Sequence, residues 1–160
     1  MDVHKGGCLC GALRYQISGD PLWVTACFCR FCQRASGGQG VVLPAFELTQ
    51  IDVTDGEPTV YPHISEGSGK AVNIHFCARC GTKTHVTFER WPDRMGVYAG
   101  TFDDPGWFDF SQENSKFIFV DEAVRGTVIP PGYKVFRQHA ATADGTPLSP
   151  EIMQEALHIR

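Results

Sequence analysis

No stretch of this sequence is apolar for the roughly 20 residues that a membrane-crossing helix needs. The N-terminal M-D-V-H-K-G-G-C lacks the apolar segment of a secretory leader. Positive charge is also scarce: 14 Lys and Arg face 18 Asp and Glu, and a net charge of −4 with a pI near 5.8 gives no basic field for a phosphate backbone. The basic residues are scattered, and apart from the cysteine pairs there is no internal repeat or low-complexity tract. These absences exclude nucleic acid as a general partner and the membrane as a site, and predict a cytoplasmic protein.

What the sequence does have is cysteine. With 160 residues and 42% hydrophobic content, the chain is long enough for one core and too short for two independent ones, which predicts a single domain over residues 1–160. Its seven cysteines are an odd number, so a complete disulfide scheme leaves one thiol over. In a reducing compartment, clustered cysteines hold metal or do chemistry more often than they form bridges. All of them fall into three groups: Cys8 and Cys10 in G-G-C-L-C-G, Cys27, Cys29 and Cys32 in C-F-C-R-F-C-Q-R, and Cys77 and Cys80 in F-C-A-R-C-G.

Between these groups the pattern is that of short strands. Leu13, Tyr15 and Ile17 alternate with Arg14 and Gln16, and Val72, Ile74 and Phe76 with Asn73 and His75. Further strands are predicted at Val41 to Leu43, His85 to Phe88, Met95 to Gly100, Lys116 to Val120 and Tyr133 to Phe136, separated by breakers such as D-G-E-P and I-P-P-G-Y. The fold class is therefore mainly β. Two helices are predicted: a short one at Arg30 to Ala35, stopped by Ser36, Gly37 and Gly38, and a C-terminal one over about 150–159. For the latter, Ser149 caps, Pro150 takes the first position, and Ile152, Met153, Ala156 and Leu157 form the apolar stripe.

A C-x-C or C-x-x-C pair lets two thiolates converge on one ion at about 2.3 Å, and two pairs complete a tetrahedron. Cys8, Cys10, Cys77 and Cys80, flanked by Gly6, Gly7, Gly11 and Gly81, are the expected closed, structural site. Three cysteines instead fill three corners and leave the fourth for substrate or water, as a catalytic zinc requires. The triplet has two other readings: a histidine or carboxylate closes the site, or Cys27, Cys29 and Cys32 are redox thiols without metal. A permuted pairing of the cysteines also satisfies the spacing.

The motifs G-G-C-L-C-G-A-L-R-Y, C-F-C-R-F-C-Q-R-A-S-G, F-C-A-R-C-G-T and Y-A-G-T-F-D-D-P occur in the order seen in the glutathione-dependent formaldehyde-activating enzyme family, which includes centromere protein V. The resemblance runs from about Gly6 to Phe136, where S-K-F-I-F-V-D-E and G-Y-K-V-F are similar to the family's final strands. It implies a twisted β-tent of antiparallel sheets around a structural zinc on Cys8, Cys10, Cys77 and Cys80, with a second, catalytic zinc on Cys27, Cys29 and Cys32. The implied activity is a carbon–sulfur lyase reaction on S-(hydroxymethyl)glutathione, with glutathione as the thiol co-substrate. The sequence departs from the family pattern at Phe28, where His is common, and in D-E-A-V-R-G-T-V, which lacks the usual tryptophan.

A zinc with three thiolates carries a net charge of about −1 and suits an incoming thiol, so a small-molecule thiol or thiol adduct is the expected partner. Arg30, Arg34, Arg79 and Lys83 are candidates to offset sulfur charge or to pair with substrate carboxylates, against an ordinary role as surface cations. His75 and His85 are candidate acid–base groups or fourth ligands, against a plain polar role. The segment from His63 to Lys70 reads as a surface connection that can cover a pocket. Two non-enzymatic functions compete: a zinc module binding a protein partner, and a redox sensor built on the triplet.

Overall fold

The alternation around Tyr15 and Ile17 becomes a strand with both side chains buried, and the computed structural model, which describes residues 2–160, is mainly β. In chain order the strands are β1 (Val3–Gly7), β2 (Arg14–Ser18), β3 (Trp23–Cys27), β4 (Val41–Glu47), β5 (Ile51–Asp55), β6 (Thr59–Ile64) and β7 (Ala71–Phe76). They continue with β8 (Lys83–Phe88), β9 (Arg94–Val97), β10 (Ser115–Ile118), β11 (Val128–Ile129), β12 (Lys134–Val135), β13 (Glu151–Ile152) and β14 (Leu157–His158). The one α-helix among the described residues, α1 (Arg30–Ser36), lies where the sequence predicts it and ends at Gly37, whose φ of 71° closes the helix in the left-handed region. No helix among the described residues is long and apolar enough to cross a membrane.

Two compact units emerge, one made by the chain up to Leu22 together with Pro44–Phe108, the other by Trp23–Leu43 and Asp109–Arg160. In the first, β1, β2 and β5 form an antiparallel sheet, and β4, β9, β8, β7 and β6 follow one another as antiparallel neighbours. Their inward faces meet in a core of Tyr15, Ile17, Phe46, Met95, Val97 and Phe102, with Trp107 packed against it. The predicted strand from Met95 ends at Val97, and the chain turns into a 3-10 helix at Ala99–Thr101. The segment from His63 to Lys70 is the end of β6 and a tight turn, closed by Ser65 N–H to Lys70 O at 2.9 Å, so it is a surface connection.

In the second unit, β10 lies between β3 and β12 and is parallel to both, while β13 adds to β12 antiparallel and β14 pairs with β11. Ala26, Phe117, Val120, Ile129 and Val135 form its core. The parallel strands β3 and β10 run in register to Cys27 and Ile118 at their carboxyl ends, and this places the cysteine triplet.

The C-terminal helix expected over 150–159 is not there: the segment forms β13 and β14. A helix of ten residues is marginal on its own, below the roughly 12–15 residues that isolated helices need, whereas the open edges of β12 and β11 offer ladder partners. Gly132 N–H donates to Met153 O, Arg137 pairs with Glu151, and Ile159 N–H donates to Thr127 O. The apolar stripe accordingly splits: Met153 and Leu157 pack on the core, while Ile152 and Ala156 are exposed.

Candidate metal centres

The first centre is built from two similar turns. Cys8 N–H donates to Leu13 O and Gly11 N–H to Cys8 O, and in the second turn Cys77 N–H donates to Thr82 O and Gly81 N–H to Cys77 O. Each turn closes through a left-handed residue, Gly11 at φ 77° and Gly81 at φ 75°. The space around both is open, so it is the backbone angle that calls for glycine. The turns converge: the ligand atoms of Cys8, Cys10, Cys77 and Cys80 lie within 4.8 Å of one another. Cys8 and Cys10 sulfurs are 3.5 Å apart, and Cys10 and Cys77 sulfurs 3.8 Å. A tetrahedral centre with metal–sulfur bonds of about 2.3 Å spaces its sulfurs about 3.8 Å apart, so these four fit.

The surrounding groups favour thiolate at Cys80 and Cys8 but not at Cys10. Thr82, which the sequence reading did not single out, joins the turns: its hydroxyl lies 3.2 Å from Cys80 Sγ and accepts Leu9 N–H at 3.1 Å. That hydroxyl, with the Thr82 N–H, brings the Cys80 thiol down to about 5. Burial pushes Cys8 up, but the Leu13 N–H at 3.2 Å from its sulfur and the Cys10 and Cys77 thiols outweigh it and leave it lowered. Cys10, in spite of the Ala12 N–H, is pushed up to about 11 by burial and by the charge it shares with Cys8, Cys80 and Cys77.

The second centre sits at the carboxyl end of β3. Cys27 is the last residue of that strand, Cys29 is the N-cap of α1, and Cys32 lies on the helix's buried face. Their sulfurs lie within 4.8 Å of one another. Cys29 Sγ accepts the N–H of Cys32 at 3.4 Å. Val41, Ile118, Phe119, Phe136 and Ala140 surround the group. Hydrogen bonds from Cys27 and then Cys32 bring Cys29 down to about 3 despite its burial. The same contacts push Cys27 and Cys32 up: Cys27 through its bond to Cys29, Cys32 through its bonds to Cys27 and Cys29. Three thiolates this close repel one another, and a bound cation would offset that repulsion and favour the ionised form of all three. The donor set fits a soft divalent metal.

Among the described residues no histidine, aspartate or glutamate joins either group. His75 and His85 stack on each other across β7 and β8, with ring centroids 4.1 Å apart. His75 Nε2 is 3.0 Å from Thr87 Oγ1, and His85 Nδ1 is 3.1 Å from Thr84 Oγ1. They form a polar pair in the first unit and act as ligand in neither cysteine group. Arg30 engages Gln33, so it is tied to the helix that carries the triplet. Gln33 and Glu122 were not foreseen. Gln33 had a signal, since it stands four residues after Cys29 on the face that buries Cys32, while nothing in D-E-A-V marks Glu122.

Fold and sites together define a mainly β protein with two cysteine centres of metal-binding type. The sequence profile of the family described as glutathione-dependent formaldehyde-activating enzyme matches residues 3–120, and the chain belongs to this family. A curated protein of Halomonas elongata, provisionally named as a glutathione-dependent formaldehyde-activating enzyme, is 28% identical over 102 residues. That match spans 62% of this chain and 65% of the relative. The crystal structure of a Rhodobacter sphaeroides protein superposes with a TM-score of 0.50 at 25% identity, covering 62% of this chain and 87% of the other.

Proposed function

We propose that this protein is a zinc-dependent carbon–sulfur lyase-like enzyme acting on a thiol–aldehyde adduct such as S-(hydroxymethyl)glutathione. Cys27, Cys29 and Cys32 hold the catalytic zinc, and Cys8, Cys10, Cys77 and Cys80 hold a structural one. The observation that carries this reading is the ligand count: four sulfurs converge in one group and three in the other, with no further His, Asp or Glu joining the three among the described residues. Family membership and the name of the Halomonas relative support the substrate class. The partner implied is a small-molecule thiol in a reducing compartment such as the cytoplasm, where all seven cysteines stay free of disulfides.

When bound, zinc supplies a soft cation that favours the thiolate form of a substrate sulfur. The protein's own groups set the rest. β3 and α1 fix the three sulfurs, and the wall of Val41, Ile118, Phe119 and Phe136 limits water around them. In the direction of adduct formation, the thiolate sulfur bonds to the aldehyde carbon, the carbonyl π pair moves to oxygen, and that oxygen takes up the proton that the thiol released. Cleavage is the reverse. The Phe28 ring is stacked on Phe117 at 6.3 Å and carries no exchangeable proton, so position 28 takes no part in the proton transfer.

The test is the rate of interconversion of glutathione and formaldehyde with their adduct, followed by NMR exchange spectroscopy. The wild-type protein accelerates it, and Cys29→Ser falls to the uncatalysed rate while keeping its far-ultraviolet circular dichroism. A folded Cys29→Ser variant with full turnover would refute the assignment.

A further inference from the structure

Helix α1 has only seven residues, and its cap is a cysteine in the metal group rather than a serine or aspartate. Seven residues are too few for a helix to stand alone, and the Cys29 sulfur, which accepts the Cys32 N–H at 3.4 Å, is a long cap. Something else has to fix the helix on the end of β3, because the spacing of Cys27 from Cys32 depends on that docking.

Gln33 occupies the position from which this can be done. It is 7% exposed and is the one polar side chain other than the cysteine thiol on the helix's buried face. Its amide is engaged on both sides: Nε2 donates to Phe28 O at 2.6 Å and to Glu122 O at 2.9 Å, and Oε1 accepts from Arg30 Nη1. Both N–H donors are therefore used on main-chain carbonyls of two different segments. Phe28 lies between Cys27 and Cys29, and its own N–H donates to Ile118 O of β10 at 3.1 Å. The residue that joins two of the three cysteines is thus held through both its N–H, by β10, and its carbonyl, by Gln33.

Glu122 closes the circuit. Its carboxylate Oε2 accepts the N–H of Arg30, the first helical residue, at 2.8 Å, while its main-chain carbonyl is held by Gln33. It is presented by the 3-10 turn Val120–Glu122, which begins after Phe119, the one non-glycine described residue with positive φ (57°). A left-handed phenylalanine costs energy and persists only where its surroundings hold it. Here Phe119 N–H donates to Gln138 O at 3.0 Å and its ring packs within the triplet's cluster.

We infer that Gln33 is the positioning residue of the Cys27–Cys29–Cys32 centre, clamping α1 to the Phe28 and Glu122 carbonyls so that the three sulfurs are preset for one metal ion. The inference rests on the proposed metal-binding role of the triplet. Gln33→Met keeps the side chain's length and removes both donors. Gln33→Asn keeps the amide and shortens its reach, which gives a second variant should the first not fold.

The experiment loads wild type and variants with Co(II) and records the thiolate charge-transfer and ligand-field bands, then follows release of Zn(II) to a chromogenic chelator. Melting temperature reports folding separately, and the four-cysteine centre serves as an internal control. For Gln33→Met, one metal equivalent is released about 10–100-fold faster, the size typical of lost outer-shell support. Its cobalt bands shift, and the other equivalent is unchanged. Gln33→Asn shows the same pattern in a smaller measure. Folded variants with wild-type bands and release rates overturn the inference alone. A wild-type protein that loads a single equivalent overturns the metal role of the triplet and the inference with it.

Discussion

At the scale of single residues, a buried histidine makes stability depend on acid. His85 is buried and stacked on His75, and burial, with the neighbouring imidazole, pulls it down to about 3. The unfolded chain takes up that proton near the ordinary histidine value of about 6.5, so between those two values the unfolded state binds more protons and stability falls as pH falls. Above the upper value His85 is neutral in both states and contributes no slope. The loss reaches at most about 1.4 kcal/mol per pH unit. Denaturant midpoints at about pH 7.5 and about pH 5 should show wild type losing roughly 1–2 kcal/mol more than His85→Gln. Equal losses would contradict the assignment. The sequence places His75 and His85 near the cysteines and leaves ligand, acid–base and plain polar roles open. The strand register, which stacks the rings on each other, separates them from the ligand sets, and register is a non-local property.

At the scale of elements, α1 and the half-buried strands are legible because each carries its own signal: alternation in β2 and β7, and glycines after α1. β6 and β13 carry none, since most of their side chains are exposed and pairing alone makes them strands. The C-terminal segment shows the conflict most clearly. Ser149, Pro150 and an apolar stripe satisfy the local rules for a helix, yet the unpaired edges of β11 and β12 override them. The two arrangements differ in what truncation does. Leu157 packs on the second core, whereas Ile152 is 47% exposed. Leu157→Ala should destabilise by about 2 kcal/mol and Ile152→Ala by less than about 0.5 kcal/mol in urea unfolding. Equal losses at both positions would indicate the packed helical stripe instead.

For the whole molecule, the division of seven cysteines into four and three is the feature that both sequence and structure carry. Spacing alone permits other pairings of Cys8, Cys10, Cys77 and Cys80 with the triplet. The fold selects one, because the turns at Gly11 and Gly81 converge within one unit while β3 and α1 carry the other three sulfurs in the second. Each cysteine group lies within one unit. The direct test of the central claim is native mass spectrometry of the reduced protein, counting metal ions per chain for wild type and Cys29→Ser with and without glutathione. The account predicts two zinc ions in wild type, one of them altered or mobilised by the thiol, and one thiol-insensitive zinc in the variant. A single tightly held zinc in wild type, unchanged by glutathione, would contradict it.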